Sequence, residues 1–209
     1  MEGTILKLPR LISLKKQYKA YLFIDEAHSI GSLGPRGGGV CDYWNVDPRE
    51  VDILMGTFTK SFGGCGGYLA GSHSFINYIR NNSCFMDSTT MPPPVATQIS
   101  KAIQIIQTPS GIERLKSLKR NLSYFRRRLK EMGFLVYGHR DSPVVPVVFS
   151  SLAKIDLIGK YSLDSGLALT LVGSPATSLM GARIRFCISS GHTREMLDKV
   201  YEYTNINRL

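Results

Sequence analysis

The sequence predicts an α/β fold, a mostly parallel sheet followed by a smaller C-terminal α+β domain, and three observations carry that prediction. Short continuous apolar runs at 21–25, 51–56 and 66–71 alternate with helical segments in the first half, the pattern of strands covered on both faces. Thr108-Pro-Ser-Gly111 is a loop signal and marks a change of texture. Beyond it a long amphipathic helix precedes several short strands and helices. The expected domains are therefore 1–107 and 108–209.

Taken in order, Tyr21-Leu-Phe-Ile-Asp25 is an apolar strand ending in acid, followed by a glycine-rich loop from Gly31 to Gly39 that contains Pro35. Val51 to Gly56 is a second strand and Gly66 to Gly71 a third. Ser74 to Asn81 and Pro94 to Gln107 read as helices, the second entered through three prolines that suit a first turn. Leu115, Leu118, Leu122, Phe125, Leu129 and Met132 recur at spacings of three and four, one apolar stripe on a helix that Gly133 ends. Strands are then expected at 134–137, 144–149, 167–172 and 183–188, with a helix near 154–165. A last helix starts at Thr193, its expected cap.

Composition narrows the function classes. The 209 residues carry 26 Lys and Arg against 16 Asp and Glu, a net charge of +10; 43 % are apolar and 20 % charged, the balance of a folded chain. No run reaches the roughly 18 uncharged apolar residues of a membrane span, and Met1 to Arg10 has neither the apolar stretch nor the cleavage site of a signal peptide. Cys41, Cys65, Cys84 and Cys187 are dispersed with no Cys-x-x-Cys, so they read as small core residues in a reducing environment, not as a zinc site or a disulfide framework. The excess of positive charge admits nucleic acid as a partner.

Three segments at predicted strand ends, where open α/β sheets bind ligands, carry the chemistry: Asp25-Glu-Ala-His28, Gly56-Thr-Phe-Thr-Lys60-Ser-Phe-Gly63-Gly64, and Arg183-Ile-Arg185. An RNA-helicase reading of the first needs an upstream phosphate loop ending in Gly-Lys-Ser/Thr. The 24 residues before Asp25 contain none, and Lys60-Ser61 comes later and follows Thr59, so that reading fails on order and spacing, and no nucleic-acid partner is expected. A strand-end Asp followed by a Lys in a small-residue loop after the next strand suits pyridoxal phosphate instead: the carboxylate keeps the ring nitrogen protonated and the amine holds the cofactor. Thr57 and Thr59 offer hydroxyls to the phosphate, and Gly63, Gly64, Gly66 and Gly67 let backbone approach it.

With Asp25-Glu-Ala-His-Ser-Ile-Gly, Gly56-Thr-Phe-Thr-Lys-Ser-Phe-Gly and Arg183-Ile-Arg-Phe-Cys-Ile-Ser-Ser-Gly-His-Thr193, the chain resembles the α-oxoamine synthase family of pyridoxal phosphate enzymes. The resemblance runs from about Tyr21 to the last helix. It implies an aspartate-aminotransferase-like fold whose large domain is incomplete here, and a decarboxylating condensation of an amino acid with an acyl-CoA. Thr57-Phe-Thr-Lys-Ser-Phe-Gly63, Phe125-Arg-Arg-Arg-Leu-Lys-Glu-Met-Gly133 and Ser142-Pro-Val-Val-Pro146 are similar to the branch that joins L-serine to palmitoyl-CoA and yields 3-oxosphinganine, the first step of sphingolipid biosynthesis. By that resemblance Lys60 is the catalytic Schiff-base lysine. Asp25, His28, Thr57, Thr59 and Thr89 bind the cofactor, and Arg185 holds the amino-acid carboxylate. It further implies a heterodimer with a second long chain base synthase subunit. It also implies a place on the cytosolic face of the endoplasmic reticulum membrane, reached through an N-terminal segment not in this sequence or through the partner. The alternative is a non-catalytic pseudo-subunit that binds and tunes such a partner.

Several neighbours are expected to be structural. Glu26 alternates away from Asp25 as a packing or salt-bridge residue, and Arg183 is expected to face away from Arg185. His192 is assigned to the strand–helix junction, and Arg126, Arg127 and Arg128 to a solvated helix face. Pro175-Ala-Thr177 resembles a mobile loop over the substrate.

Overall fold

A helix that the sequence reading passed over comes first in the computed structural model, which describes residues 2–84, 90–149 and 152–206. It is α1, Leu8–Tyr18, entered through Pro9 and buried along Leu8 and Ile12, one turn apart. Lys15 anchors it by an ion pair to Asp52 (2.9 Å) and a bond to the Glu50 carbonyl (2.9 Å).

The chain divides into two compact units, Leu6–Leu115 and Met1–Ile5 together with Lys116–Leu209. In the first, strands β1 (Phe23–Asp25), β2 (Ile53–Thr57) and β3 (Gly67–Gly71) form a sheet in that order. Strands β1 and β2 are parallel, with Asp25 opposite Met55; β2 and β3 are antiparallel, with Thr57 opposite Gly67. The α/β class holds, but this sheet is mixed. The 58–66 connection is shorter than the dozen or so residues a parallel crossover needs, so β3 must return antiparallel. Helix α2 (Gly39–Trp44) closes the glycine-rich loop. Helix α3 (His73–Asn82) starts at Ser72, whose hydroxyl accepts the Phe75 N–H, and α4 (Pro93–Ile106) follows three prolines.

Helix α5 spans Pro109–Glu131 and begins where a break was expected. Thr108-Pro-Ser-Gly111 is its N-terminus: Pro109 suits the first turn, and the Thr108 hydroxyl accepts the Gly111 N–H at 3.4 Å. In the second unit β4 (Val144–Val148), β6 (Arg183–Cys187) and β5 (Thr170–Val172) form an antiparallel sheet in that order, with α6 (Leu152–Asp164) between β4 and β5 in the chain and α7 (Arg194–Ile206) after β6. The expected strand at 134–137 contributes a single bridge, Val136 to Val147. Leu118, Leu122, Phe125 and Leu129 bury the predicted stripe against Val145, Val147, Ile184 and Phe186, with the Phe125 and Phe186 rings 5.1 Å apart. Thr193 caps α7 by accepting the Met196 N–H (3.3 Å).

Two side-chain expectations need correction. Arg126 is buried, unlike exposed Arg127: it lies one turn beyond Leu122, beside the apolar stripe, and donates to the carbonyls of Tyr137 (2.7 Å) and Val144 (2.9 Å). A carbonyl-rich turn against a helix needs a long forked donor, and the run of three arginines hides which one supplies it. Of the cysteines only Cys41 is a core residue; Cys65, Cys84 and Cys187 are exposed. They sit respectively in the connection before β3, just after α3, and at the outer end of β6, all away from buried faces.

Candidate active site

The parallel pairing of β1 with β2 brings two of the predicted segments to one sheet edge. Asp25 ends β1 and Thr57 ends β2, so the acid and the lysine loop leave from neighbouring strands on the same side. The Asp25 side chain is exposed, and its Oδ1 accepts the Ala27 N–H at 2.8 Å, which turns the chain sharply after the strand. His28, in that turn, is exposed, and its carbonyl accepts the Ser32 hydroxyl (2.9 Å).

The lysine loop is a backbone-braced bulge between β2 and β3. Phe58 N–H donates to the Gly66 carbonyl (3.0 Å), Gly64 N–H to the Phe58 carbonyl (2.8 Å), and Gly63 N–H to the Lys60 carbonyl (3.3 Å). Gly63 and Gly66 take φ of +62° and +85°, values that side chains resist, so glycine is required there. Phe62 is buried against Phe58, their rings 5.8 Å apart, while Thr59 and Lys60 stay exposed. The Thr59 hydroxyl donates to that of Thr57 (3.3 Å), so the two predicted phosphate-side hydroxyls are neighbours. A cavity of about 610 Å³ lined by Phe58, Phe62, Tyr68, Ile103 and Ile106 opens next to this loop; Lys60, Thr57 and Asp25 do not line it.

Behind Asp25, Glu26 is buried at 2 % exposure. Both of its oxygens accept the Val40 N–H (3.0 and 3.1 Å), and it also accepts the Ser29 hydroxyl. Burial pushes its carboxyl above the usual range. Burial first, and the Glu26 charge second, push the Cys41 thiol up to about 11 and the Tyr68 phenol up to about 12. The sequence assigned Glu26 to packing; its grip on the glycine-rich loop has no signature at the level of motif.

Arg185 belongs to the other unit, on β6 opposite Pro146 and Thr170. Arg183 is two residues away, so strand alternation places both on one face and not on opposite faces. They differ in partners: Arg183 is buried, donating to the Gly181 carbonyl (2.8 Å) and pairing with Glu2 at 2.5 Å. His192 accepts the Ser189 N–H (3.2 Å), a junction contact as expected. Thr89 lies outside the described residues, as does Ser88 beside it. Among the described residues no group of three or more His, Cys, Asp or Glu could hold a metal ion, and no helix is long and apolar enough to cross a membrane.

The donor set suits pyridoxal phosphate on chemical grounds: an exposed primary amine, a carboxylate on the adjacent strand end, paired hydroxyls, and glycines whose missing side chains leave backbone accessible. At Gly67 an added Cβ would stand 2.5 Å from the Gly56 carbonyl, so the loop has no room for a larger residue there.

Comparison with known proteins points the same way. The family described as aminotransferase class I and II matches residues 1–203. The chain is similar to serine palmitoyltransferase 3 of Homo sapiens, 48 % identical over 97 % of this chain and 38 % of the relative, and to serine palmitoyltransferase 2 of Caenorhabditis elegans, 48 % identical over 99 % of this chain and 38 % of the relative. It thus spans about two fifths of the length of these relatives. A solved structure described as SPT with PLP internal aldimine superposes with a TM-score of 0.88 at 29 % identity, over 100 % of this chain and 52 % of that one.

Proposed function

The chain belongs to the aminotransferase class I and II family, and from that premise we propose that it carries the cofactor lysine of a pyridoxal-phosphate-dependent acyltransferase of the serine palmitoyltransferase type. The observation that carries the proposal is the exposed Lys60 in a braced glycine loop, one strand from Asp25 and flanked by the paired hydroxyls of Thr57 and Thr59. The similarity to named serine palmitoyltransferases supports the choice of reaction.

The substrates are L-serine and palmitoyl-CoA, and the products 3-oxosphinganine, carbon dioxide and CoA. When bound, pyridoxal phosphate supplies an electron sink for the negative charge that develops at the serine α-carbon. Lys60 would hold the cofactor through Nζ, and its free amine would take the serine α-proton. Asp25 would keep the ring nitrogen protonated, and His28 would donate to the ring hydroxyl. Thr57 and Thr59 would offer hydroxyls to the ring hydroxyl and phosphate, and Thr89, by the resemblance of its segment, would serve a neighbouring subunit's phosphate. Arg185 holds the serine carboxylate, for which a planar fork of donors is the matching shape. The partner is a second long chain base synthase subunit, and the complex works at the cytosolic face of the endoplasmic reticulum membrane.

The test reconstitutes the chain with that partner and pyridoxal phosphate. Formation of a cofactor absorbance band in the near-ultraviolet to visible range, lost in Lys60→Ala, is expected. Absence of the band, or its survival in Lys60→Ala, overturns the assignment. If Lys60→Ala still restores the partner's activity, the chain is a non-catalytic subunit that tunes it.

A further inference from the structure

We infer that Glu26 is a positioning residue: by clamping the glycine-rich loop 31–39 to the end of β1, it sets the placement of the lysine loop that carries Lys60. The inference rests on the reading of Lys60 as the cofactor lysine, but its geometry is independent of that reading.

The linkage has three parts. At one end, the Glu26 carboxylate accepts the Val40 N–H through both oxygens and the Ser29 hydroxyl through one. Its fit is tight: at Gly39, φ +83°, an added Cβ would stand 2.5 Å from a Glu26 oxygen. In the middle, the loop is closed on itself by Gly31 N–H to the Gly37 carbonyl (2.8 Å) and Gly39 N–H to the Leu33 carbonyl (3.0 Å). At the far end, Gly31 meets the lysine loop. Its own φ is +77°, and an added Cβ there would come within 2.4 Å of the Ser61 Cβ and 3.3 Å of the Phe62 ring. Ser61 and Phe62 directly follow Lys60, and Phe62 is buried. A shift of the clamped loop at Gly31 therefore presses directly on residues 61 and 62.

A carboxylate is the group this task needs. A buried acid with two acceptor oxygens can hold an N–H and an O–H at once, and charge-assisted bonds are stiffer than neutral ones. The alternative, that Glu26 only closes the core, predicts that its removal lowers stability without singling out Lys60.

The experiment uses the whole 209-residue chain and two readouts. Pyridoxal phosphate is titrated in, and the imine formed at lysine with loss of water is reduced by borohydride to a stable secondary amine. Peptide mapping then quantifies the pyridoxyl group at Lys60 against other exposed lysines. Hydrogen–deuterium exchange of residues 57–64 is measured without cofactor. In Glu26→Ala the concentration for half-labelling of Lys60 is expected to rise about tenfold, on the order of one charge-assisted bond, with other lysines unchanged and exchange at 57–64 faster. Glu26→Gln, which keeps one acceptor for Val40 but loses the charge and the second oxygen, should recover part of both. Gly31→Ala, which leaves the Glu26 contacts in place and pushes on Ser61, should reproduce the Lys60 defect and serves if Glu26→Ala does not fold. Labelling and exchange equal to wild type in Glu26→Ala, or in Gly31→Ala, overturn the inference. Failure of the wild-type chain to label at Lys60 overturns the cofactor reading instead, and exchange at 57–64 still decides the clamp.

Discussion

Replacing Arg126 by Ala should cost far more than replacing Arg127, its neighbour on the same helix. The Arg126 guanidinium is buried and makes two good bonds to carbonyls, 2.7 Å to Tyr137 and 2.9 Å to Val144, with a longer 3.5 Å approach to Ser142. Burial lowers its pKa, which shows that the protein bears a desolvation cost to keep the charge there. Truncation leaves two carbonyls without donors, at about 1–3 kcal/mol each, and relieves part of the desolvation. The net loss is about 3 kcal/mol, a fall in Tm of roughly 10 °C for a chain of this size. Arg126→Met keeps the bulk and should lose about half as much. Arg127, paired with Glu131 at the surface, should change stability by no more than about 0.5 kcal/mol on truncation. Urea and thermal unfolding followed by circular dichroism measure all three variants. Equal losses for Arg126→Ala and Arg127→Ala would refute the reasoning, because only one of the two is a buried donor.

Two further outcomes follow from the buried groups around Glu26. Its carboxyl is raised above 4.5 in the folded chain, so between that value and the raised one the folded state holds more protons than the unfolded; stability should fall as pH rises through this window, and a wild type whose stability gains on Glu26→Gln across the same range would contradict the shift. Cys41 is buried with its thiol pushed up to about 11, whereas Cys65, Cys84 and Cys187 are exposed. Thiol titration of the native chain should therefore show three reactive groups and a fourth only on unfolding, and fast reaction at Cys41 would disprove the packing around it.

How much was legible beforehand depended on the range of the interaction that decides each feature. The segments carrying Asp25, Thr57, Thr59 and Lys60 stood out because their spacing around two strands is a local pattern, and the parallel register sets the two strand ends side by side. The stripe from Leu118 to Leu129 was found because helical periodicity is also local. Helix α1 was passed over although Leu8, Leu11 and Ile12 stand at helical spacing behind Pro9, because that stripe lasts little more than one turn before Lys15 and Lys16. The direction of β3 depends on the length of a loop, and the burial of Arg126 on carbonyls 11 and 18 positions along. The hold of Glu26 on Val40 joins residues 14 apart through a backbone N–H, which no residue type announces. The units meet at 115/116, eight residues beyond the predicted 107/108 boundary, because the turn signal there opens a helix.

The first sheet has a practical consequence for anyone handling this chain. Its outer strands are β1 and β3, and among the described residues nothing pairs with the far side of either. Tyr21, just before β1, and Phe23, its first residue, are 90 % and 55 % exposed, and Leu69 on β3 is 43 % exposed. A row of unsatisfied main-chain groups lined with apolar side chains is a template for another strand, whether its own copy or a misfolded neighbour. Association through these borders would persist once salt screens the repulsion of the net charge of +10.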